Sequence, residues 1–382
     1  MKIVIAIDSF KGSLTTWEAG EAVKRGIQNA WKEAEVIVKP LADGGEGTVD
    51  AVTAEGRGEK RTVTVMGPLG EPVEAVYGIL KEKHTAVLEA AAAVGLTLIP
   101  KEKRNPMETT SYGMGELLGD AIEQGCREFI IGIGGTGSND CGIGMLSALG
   151  WRFLDGEGKE VPLSGKGLAM VEKIEDAEVL PVLKECRFRI ACDVTNPLCG
   201  ENGSSYVFAP QKGATPEMVR ALDEGCRHFS DVVKRQYGRE DAEKAGVGAA
   251  GGMGYAFVSF LNGELGRGID LVLSEIDLKK ELADADFLVT GEGRLDGQTA
   301  MGKAPAGAAA LGKECGCIVL ALGGGVTEEA SACHETGMDA LFSIQQGVLT
   351  QEEAMEKKTA ARNAEREAEQ LFRLIRAVKE TK

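Results

Sequence analysis

The chain has 382 residues, 43% of them hydrophobic and only 5% aromatic, so we expect one or two domains with a largely aliphatic core. Asp and Glu outnumber Lys and Arg by 59 to 43, and the formal charge of −16 argues against nucleic acid or an anionic membrane as a partner. No stretch approaches the roughly 20 apolar residues of a membrane span. The first residues do not resemble a signal peptide, and the nine cysteines include no CxxC pair. We therefore expect a cytoplasmic protein with reduced thiols.

Six short apolar runs, rich in β-branched residues, each end in a loop of glycine and polar residues. Continuous apolar runs of this kind predict strands of a parallel sheet that is covered by helices on both faces. Ligands of open α/β sheets bind beyond the carboxyl ends of the strands, which is where these loops would gather. The pattern is typical of an enzyme. The loops are residues 8–12, 43–47, 134–140, 193–197, 291–294 and 323–325.

Helices are predicted between several of these strands. Thr15 to Glu18 is a capping box that opens a helix reaching about residue 31. A second helix covers residues 216–236, where Pro and Glu occupy the first turn. Thr350 is expected to cap one long terminal helix, which docks on the body through an apolar stripe. The stripe consists of Leu371, Leu374, Ile375 and Val378.

The alternation of strand and helix is interrupted at residues 60–80. These residues alternate with period two around a turn of Gly and Pro, which predicts a pair of strands. We interpret them as the start of a second domain. The predicted organisation is an α/β domain made of residues 1–65 and 285–382, with a mixed α+β domain of residues 66–284 inserted between.

One glycine motif suggests a dinucleotide site. Gly132 to Gly137 fits G-x-G-x-x-G after a strand, and Asp155 follows at the expected distance. Against this, the residues after the motif are unusually polar for a helix that packs on its sheet, and Gly142 and Gly144 weaken it further. An NAD(P)-dependent dehydrogenase of a small hydroxy acid stays the alternative hypothesis.

Charged residues in the loops indicate phosphoryl transfer. A single loop Asp is more often a turn former than a catalyst, but several at one sheet edge favour a site. Carboxylates hold magnesium or accept a proton, and cations neutralise phosphates. Histidines are few and lie outside these loops, so Asp, Glu or Lys would transfer protons. The charged candidates are Asp8, Asp43, Asp140, Asp193, Glu292, Asp296, Lys11, Arg294 and Lys303.

The segment from Gly297 to Lys303 matches the skeleton of a nucleotide-binding P-loop. That loop next needs Ser or Thr as a magnesium ligand, and here the residue is Ala304. The match alone leaves open a disabled P-loop, a coincidence, or a phosphate loop of another kind.

Long blocks of the sequence resemble the bacterial type 1 glycerate kinases over nearly the whole chain. The blocks are DSFKGSLT at 8–15, PLADGGEGTVDA at 40–51, GGTGSND at 134–140, DVTNPLCGENGSSYVFAPQKGA at 193–214, GAAGGMGY at 248–255 and GEGRLDGQTAMGKAP at 291–305. The resemblance implies transfer of the γ-phosphoryl group of ATP, with Mg²⁺, to (R)-glycerate, giving 2-phosphoglycerate rather than 3-phosphoglycerate. It implies a doubly wound, flavodoxin-like domain formed by both chain ends, an inserted domain, and an active site in the cleft between them. It also makes the P-loop match a coincidence.

The resemblance suggests roles for individual residues. Two blocks depart from the family pattern: GGTGSNDCG replaces GGSATNDGG, and ALGGGV replaces an ALAGSV-like run, which removes a serine that is a possible nucleotide contact. The implied catalytic residues are Asp193, Asp43, Lys11 and Lys303, with Asp193 or Asp43 as the base. Substrate binding is assigned to Asp8, Ser9, Arg294, Asn139, Asp140 and Asn196, nucleotide binding to Gly134, Gly135, Gly291, Gly293, Gly323 and Gly324, and magnesium to Glu292 and Asp296. The expected partners are glycerate and ATP, and an oligomer is possible; a non-catalytic sensor of either ligand is a further alternative.

Overall fold

The computed structural model describes residues 1–45, 47–81 and 84–381. Its strands, in chain order, are β1 Lys2–Ile7, β2 Glu35–Val38, β3 Gly58–Met66, β4 Pro72–Leu80, β5 Thr85–Glu89, β6 Glu128–Gly132, β7 Arg152–Leu154, β8 Lys173–Glu175, β9 Arg187–Ala191, β10 Glu264–Gly266, β11 Phe287–Leu295, β12 Ile318–Val326 and β13 Ala340–Ser343.

The α-helices are α1 Thr16–Ala30, α2 Thr48–Thr53, α3 Ala90–Val94, α4 Tyr112–Glu123, α5 Ile143–Ala148, α6 Ser204–Phe208, α7 Pro216–Tyr237, α8 Ala249–Leu261, α9 Gly268–Glu275, α10 Leu278–Leu282, α11 Gly297–Ala300, α12 Ala304–Glu314, α13 Gln351–Met355 and α14 Lys357–Glu380. Within the described ranges, none of these helices is long and apolar enough to span a membrane. The predicted mixed α/β architecture with parallel sheets is confirmed by the arrangement of these strands and helices.

The chain folds into two compact units. The first unit comprises Met1–Asp43, Asp50–Ala54 and Ile269–Lys382, and the second comprises Gly44–Val49 and Glu55–Gly268. Both ends of the chain therefore lie in the first unit. The strands β3 and β4 belong wholly to the second unit.

The first unit is built on a five-stranded parallel sheet with the order β13-β12-β11-β1-β2. Its central strand residues are buried on both faces, as in the run Ile3 to Ile7, where no side chain is more than 1% exposed. Ile3, Ile5 and Ile7 pack in one cluster with the apolar faces of α1 and α14. On the other side, α12 packs against β11 at Gly312, where an added Cβ would lie 2.8 Å from the side chain of Leu288.

The second unit contains a six-stranded mixed sheet with the order β10-β9-β6-β5-β4-β3. The pairs from β10 to β5 are parallel, whereas β5, β4 and β3 are antiparallel neighbours. At Gly132 the end of β6 closely approaches the backbone of Gly44, and an added Cβ would lie 1.9 Å from the Gly44 carbonyl oxygen. A separate antiparallel pair is formed by β7 and β8.

The capped helix α1 and the strand pair β3–β4 occur where the sequence predicts them. Thr15 caps α1 in a complete capping box with Glu18. Helix α7 likewise starts at Pro216, with Thr215 as its N-cap.

The prediction of one long terminal helix after Thr350 is wrong. Thr350 caps only the short helix α13. The helical conformation is interrupted at Glu356, and α14 begins after it. The predicted stripe is also only partly docked, because Leu371 is buried while Leu374 and Val378 are 63% and 53% exposed. The docked face instead uses small residues such as Ala360, Ala364 and Ala368, together with Phe372, because α14 packs closely against α1.

Candidate functional site

Parallel register brings the polar loops of the first unit to one edge of its sheet. Ile7 pairs with Gly291, and Gly291 pairs with Leu322, so the loops after β1, β11 and β12 leave the sheet side by side. The backbone amide of Asp8 extends this register by donating to the Gly291 carbonyl, with the two atoms 2.9 Å apart. The sequence prediction that these loops meet is therefore realised within this unit.

These loops line a cleft of about 900 Å³. Eight of the predicted site residues lie on its walls, and all of them come from the first unit. They are Ser9, Lys11, Glu292, Gly293, Arg294, Asp296, Lys303 and Gly324. Three cations and two carboxylates thus share one cavity, which is the charge pattern expected of a site for a phosphorylated ligand.

The carboxylates of the cleft are held by a network centred on Thr299. Its hydroxyl donates to Glu292 Oε1 at 2.7 Å and accepts from the amide of Asp296 at 3.1 Å. Asp296 is the N-cap of α11, and its Oδ1 accepts from the amide of Gln298 at 2.9 Å. The network fixes both carboxylates while the side chain of Arg294, which is 71% exposed, extends from the same loop.

The segment that matches a P-loop does not fold as a phosphate-wrapping loop. Residues 297–300 form the short helix α11, and Lys303 is the N-cap of α12. Lys303 Nζ lies 3.8 Å from Glu292 Oε2, and its side chain remains 36% exposed. The amino-terminal end of an eleven-residue helix and a lysine therefore lie together at the cleft, and both favour anions.

Asp8 is a buried carboxyl group at the end of β1. Burial, with smaller contributions from the charges of Asp43 and Glu292, raises its pKa to about 7. The amide of Ser9, 2.6 Å from Asp8 Oδ1, and the charge of Lys11 act in the opposite direction. Burial likewise raises the pKa of Glu292, while the hydrogen bond from Thr299 and the charge of Lys303 oppose the shift. Several carboxyl groups are thus partly removed from water beside the cleft, with Lys11 and Lys303 as their nearby cations.

No group of three or more His, Cys, Asp or Glu side chains suited to a metal ion occurs among residues 1–45, 47–81 and 84–381. This includes the region of Glu292 and Asp296. Magnesium in nucleotide sites commonly uses only one or two protein carboxylates, with water and phosphate oxygens as its other ligands. The pair therefore fits a nucleotide-dependent ion better than a permanently bound one.

A second set of predicted residues lies in the core of the second unit. Asn139 and Asp140 are fully buried. Asp140 Oδ2 accepts from both the amide and the hydroxyl of Ser111 at 2.8 Å, and Oδ1 accepts from the amide of Gly142 at 3.1 Å. Burial raises the pKa of Asp140, and these hydrogen bonds oppose the shift. Both residues support their loop; contact with a substrate stays a prediction.

Lys212 is a buried cation that was not among the predicted site residues, although it lies in the block at 193–214. Its Nζ donates to the carbonyl of Ser138 at 2.5 Å. Burial lowers its pKa to about 8, while the charge of Asp140 acts to raise it. Lys212 therefore anchors the loop that carries Asn139 and Asp140.

The remaining candidates of the second unit are exposed or half-buried. Asp193 is exposed, and its Oδ1 accepts from the amide of Gly268 at 3.1 Å. Asn196 Nδ2 donates to the carbonyl of Asn202 at 2.7 Å. Gly134 and Gly135 lie on an exposed loop. Their predicted roles, and those of Asp43, Gly291 and Gly323 in the first unit, remain predictions.

One whole wall of the cleft was not predicted from the sequence. This wall follows β13 and includes Ile344, Gln345, Val348, Leu349 and Met355. The available signal was the apolar pair Val348-Leu349 directly before the helix cap at Thr350. This pair did not indicate a functional site because it carries no charged or nucleophilic group.

Comparison with known proteins identifies the family. The model of the "Glycerate kinase family" matches residues 3–376. The chain is 43% identical to the glycerate kinase of Bacillus subtilis strain 168, with 99% of each chain covered. It is 44% identical to the glycerate 2-kinase of Escherichia coli K12, with 93% of each covered.

The fold agrees with these relationships. A crystal structure from Salmonella typhimurium LT2, provisionally assigned as glycerate kinase 2, superposes with a TM-score of 0.91 at 41% identity. The superposition covers 100% of this chain and 99% of the other. The dehydrogenase hypothesis is not supported, and the stretch between Gly132 and Ile143 contains a loop rather than the opening of a long helix. The chain belongs to the glycerate kinase family, a family of phosphotransferases.

Proposed function

We propose that the protein transfers the γ-phosphoryl group of ATP to (R)-glycerate and releases 2-phosphoglycerate. The observation that carries the proposal is the cleft at the strand ends of the first unit. There Lys11, Arg294 and Lys303 share one cavity with Glu292 and Asp296. Phosphoryl transfer depends mainly on positioning and charge neutralisation, and this cavity supplies both.

The cations have distinct proposed roles. Lys303, at the N-terminus of α12, neutralises charge on the transferring phosphoryl group, aided by the helix dipole. Lys11 follows β1 and supports the same phosphates. The side chain of Arg294 is 71% exposed, whereas that of its partner Asp296 is 25% exposed. Arg294 can therefore form two parallel hydrogen bonds with the carboxylate of glycerate.

Glu292 and Asp296 are the proposed magnesium ligands. Thr299 fixes Glu292 through Oε1, and Oε2 lies on the side of Lys303. Asp296 uses Oδ1 as a helix cap, and its Oδ2 lies 3.8 Å from Arg294 Nε. Each carboxylate therefore has one oxygen that is engaged internally and one that faces the charged cleft. When bound with ATP, Mg²⁺ supplies neutralisation of phosphate charge.

Asp193 is our preferred general base for the acceptor hydroxyl, with Asp43 as the second choice. The exposed carboxylate of Asp193 is anchored through one oxygen by the Gly268 amide. This arrangement orients the side chain without burying its charge, as a base needs. Asn139 and Asp140 are kept as proposed substrate-binding residues, whose loop is held in place by their buried hydrogen bonds.

We also propose that the first unit is a doubly wound, flavodoxin-like domain. Numbered within that unit alone, its strand order is 2-1-3-4-5, which is the order typical of that fold. Helices on both sheet faces support the assignment. We further propose a cytoplasmic location, in keeping with the nine free cysteines.

The test is ADP formation measured with (R)-glycerate and with (S)-glycerate, in the presence of magnesium. We expect turnover that depends on the (R) isomer and falls about 100-fold or more in Lys303→Ala. Lys313→Ala is the matched control, because Lys313 lies in the last turn of the same helix and pairs with Asp339. ADP release that is independent of glycerate, or equal loss in the two variants, would contradict the proposal.

A further inference from the structure

The cleft of the first unit has two chemically different walls. The charged wall carries Lys11, Glu292, Arg294, Asp296 and Lys303, from the loops after β1 and β11. The other wall, which we call the apolar wall, comprises Ile344, Val348, Leu349, Ala354 and Met355, from the segment after β13. Phosphoryl transfer accounts for the charged wall only. The apolar wall needs a ligand group of its own.

Three side chains of this apolar wall are exposed. The side chain of Val348 is completely exposed, and those of Leu349 and Met355 are 36% and 38% exposed. Binding a ligand over such side chains is favourable, because it removes apolar surface from water. Because all three residues line the 900 Å³ cleft, a ligand held in the cleft could cover them.

The apolar wall is also held in place before any ligand arrives. The Thr350 hydroxyl accepts from the amide of Glu353 at 3.3 Å, and the Glu353 carboxylate accepts from the amide of Thr350 at 2.9 Å. This capping box fixes the direction in which the chain leaves Leu349. Gln345 Nε2 donates to the carbonyl of Gly324 at 2.7 Å and ties the start of the wall to the end of β12.

A glycine floor at the end of β12, Gly324 and Gly325, lies between the strand ends of β11 and β13. At the far end of the apolar wall Met355 meets the loop after β1, since a Cβ added to Gly12 would lie 3.1 Å from Met355 Cε. A Cβ added to Gly325 would meet nothing within 4 Å, so open space lies directly above the backbone there. A flat ring can lie on such a surface. From β1 to β13 the sheet spans three strand spacings, about 14 Å, which is comparable to the length of an extended nucleoside triphosphate.

We propose that the apolar wall and the glycine floor bind the aromatic base and ribose of ATP, while the charged wall binds its phosphates. The inference rests on the proposed function, since that function assigns the cleft to ATP. It places the base against residues 344–355 and Gly325, at the β13 edge of the sheet. The glycines of the loop at residues 134–135 then have no part in binding the base.

The test compares ADP with inorganic tripolyphosphate, which has phosphates but no base. Binding is measured by isothermal titration calorimetry without glycerate, so the result does not depend on turnover. Gly325→Phe fills the open space, and Val348→Asn makes the wall polar without adding charge. Val378→Asn is the control, since Val378 is also exposed in the first unit but lies outside the cleft.

We expect Gly325→Phe to weaken ADP binding about tenfold or more and Val348→Asn to weaken it about fivefold, with tripolyphosphate unchanged within about twofold. Val378→Asn should bind both ligands like the parent chain. Thermal unfolding of each variant checks that the fold is intact.

Unchanged ADP affinity in both cleft variants would overturn the inference, as would an equal loss for ADP and tripolyphosphate. A parent chain that binds no ADP would overturn it too. A selective loss of ADP binding in a protein that does not phosphorylate glycerate would support the base site while refuting the proposed acceptor. The two proposals can therefore fail separately.

Discussion

Asp8 offers a direct test of the electrostatics at the strand ends. Its carboxyl group is 5% exposed, and its pKa is raised from 3.8 to about 7, mainly by burial and then by Asp43. The substitution Asp8→Asn keeps an oxygen that accepts from the Ser9 amide but removes the charge. The variant therefore isolates the free energy of ionising this buried group.

The direction of the effect follows from proton binding. Between pH 3.8 and about 7 the folded protein holds the Asp8 proton and the unfolded chain does not, so stability falls as pH rises through this window. A shift of about three pH units corresponds to at most about 4 kcal/mol. We expect Asp8→Asn to match the parent near pH 4 and to exceed it by a few kcal/mol at pH 8.

Urea unfolding at several pH values, followed by circular dichroism, measures the difference between the two chains. Asp284→Asn is the control, because a hydrogen bond from Lys2 lowers the pKa of the exposed Asp284, and its loss should bring no gain at high pH. A parent as stable as Asp8→Asn at pH 8 would refute the reasoning. So would a stabilisation that is equally large at pH 4.

Three further substitutions test the site and the packing. Lys303→Ala should lower kcat/KM by about 100-fold or more in glycerate-dependent assays, with Lys313→Ala nearly unchanged; equal effects would remove Lys303 from the charge-neutralising role. Asp193→Asn retains the oxygen that accepts from the Gly268 amide but cannot accept a proton as a carboxylate does. It should lower kcat about 100-fold with KM nearly unchanged, and activity within about tenfold of the parent would exclude Asp193 as the base. Gly132→Ala should destabilise the second unit by about 1–3 kcal/mol in urea unfolding, because the added Cβ would clash with the Gly44 carbonyl oxygen. An unchanged unfolding midpoint would contradict that packing.

Much of the local structure was accessible from the sequence because the signals were local. The capping box at Thr15 and the alternating pattern of β3 and β4 each depend on residues a few positions apart. The break at Glu356 was not accessible, because a capped start and a continuing apolar pattern give no sign of it. Which face of α14 docks depends on its fit to α1, where an added Cβ at Gly26 would lie 2.0 Å from the Glu365 carbonyl oxygen. Such a close approach favours small residues over the predicted Leu stripe.

The candidate site divides in the same way. Charged residues of the loops after β1 and β11 could be chosen because parallel strands bring their ends together. The apolar wall after β13 could not be chosen, since Val348 and Leu349 resemble ordinary core residues until their exposure is known. Asp140 could be chosen from its glycine loop, but its burial could not be predicted, and neither could that of Lys212, because burial depends on how distant loops cover both side chains.

Phosphorus NMR of the reaction product tests the central claim most directly. Purified protein is incubated with ATP, magnesium and (R)-glycerate, and the product spectrum is compared with authentic 2-phosphoglycerate and 3-phosphoglycerate. We predict the signal of 2-phosphoglycerate together with ADP. A 3-phosphoglycerate signal would contradict the proposed acceptor hydroxyl, and a spectrum that still shows only ATP would contradict the assignment of this chain as a glycerate kinase.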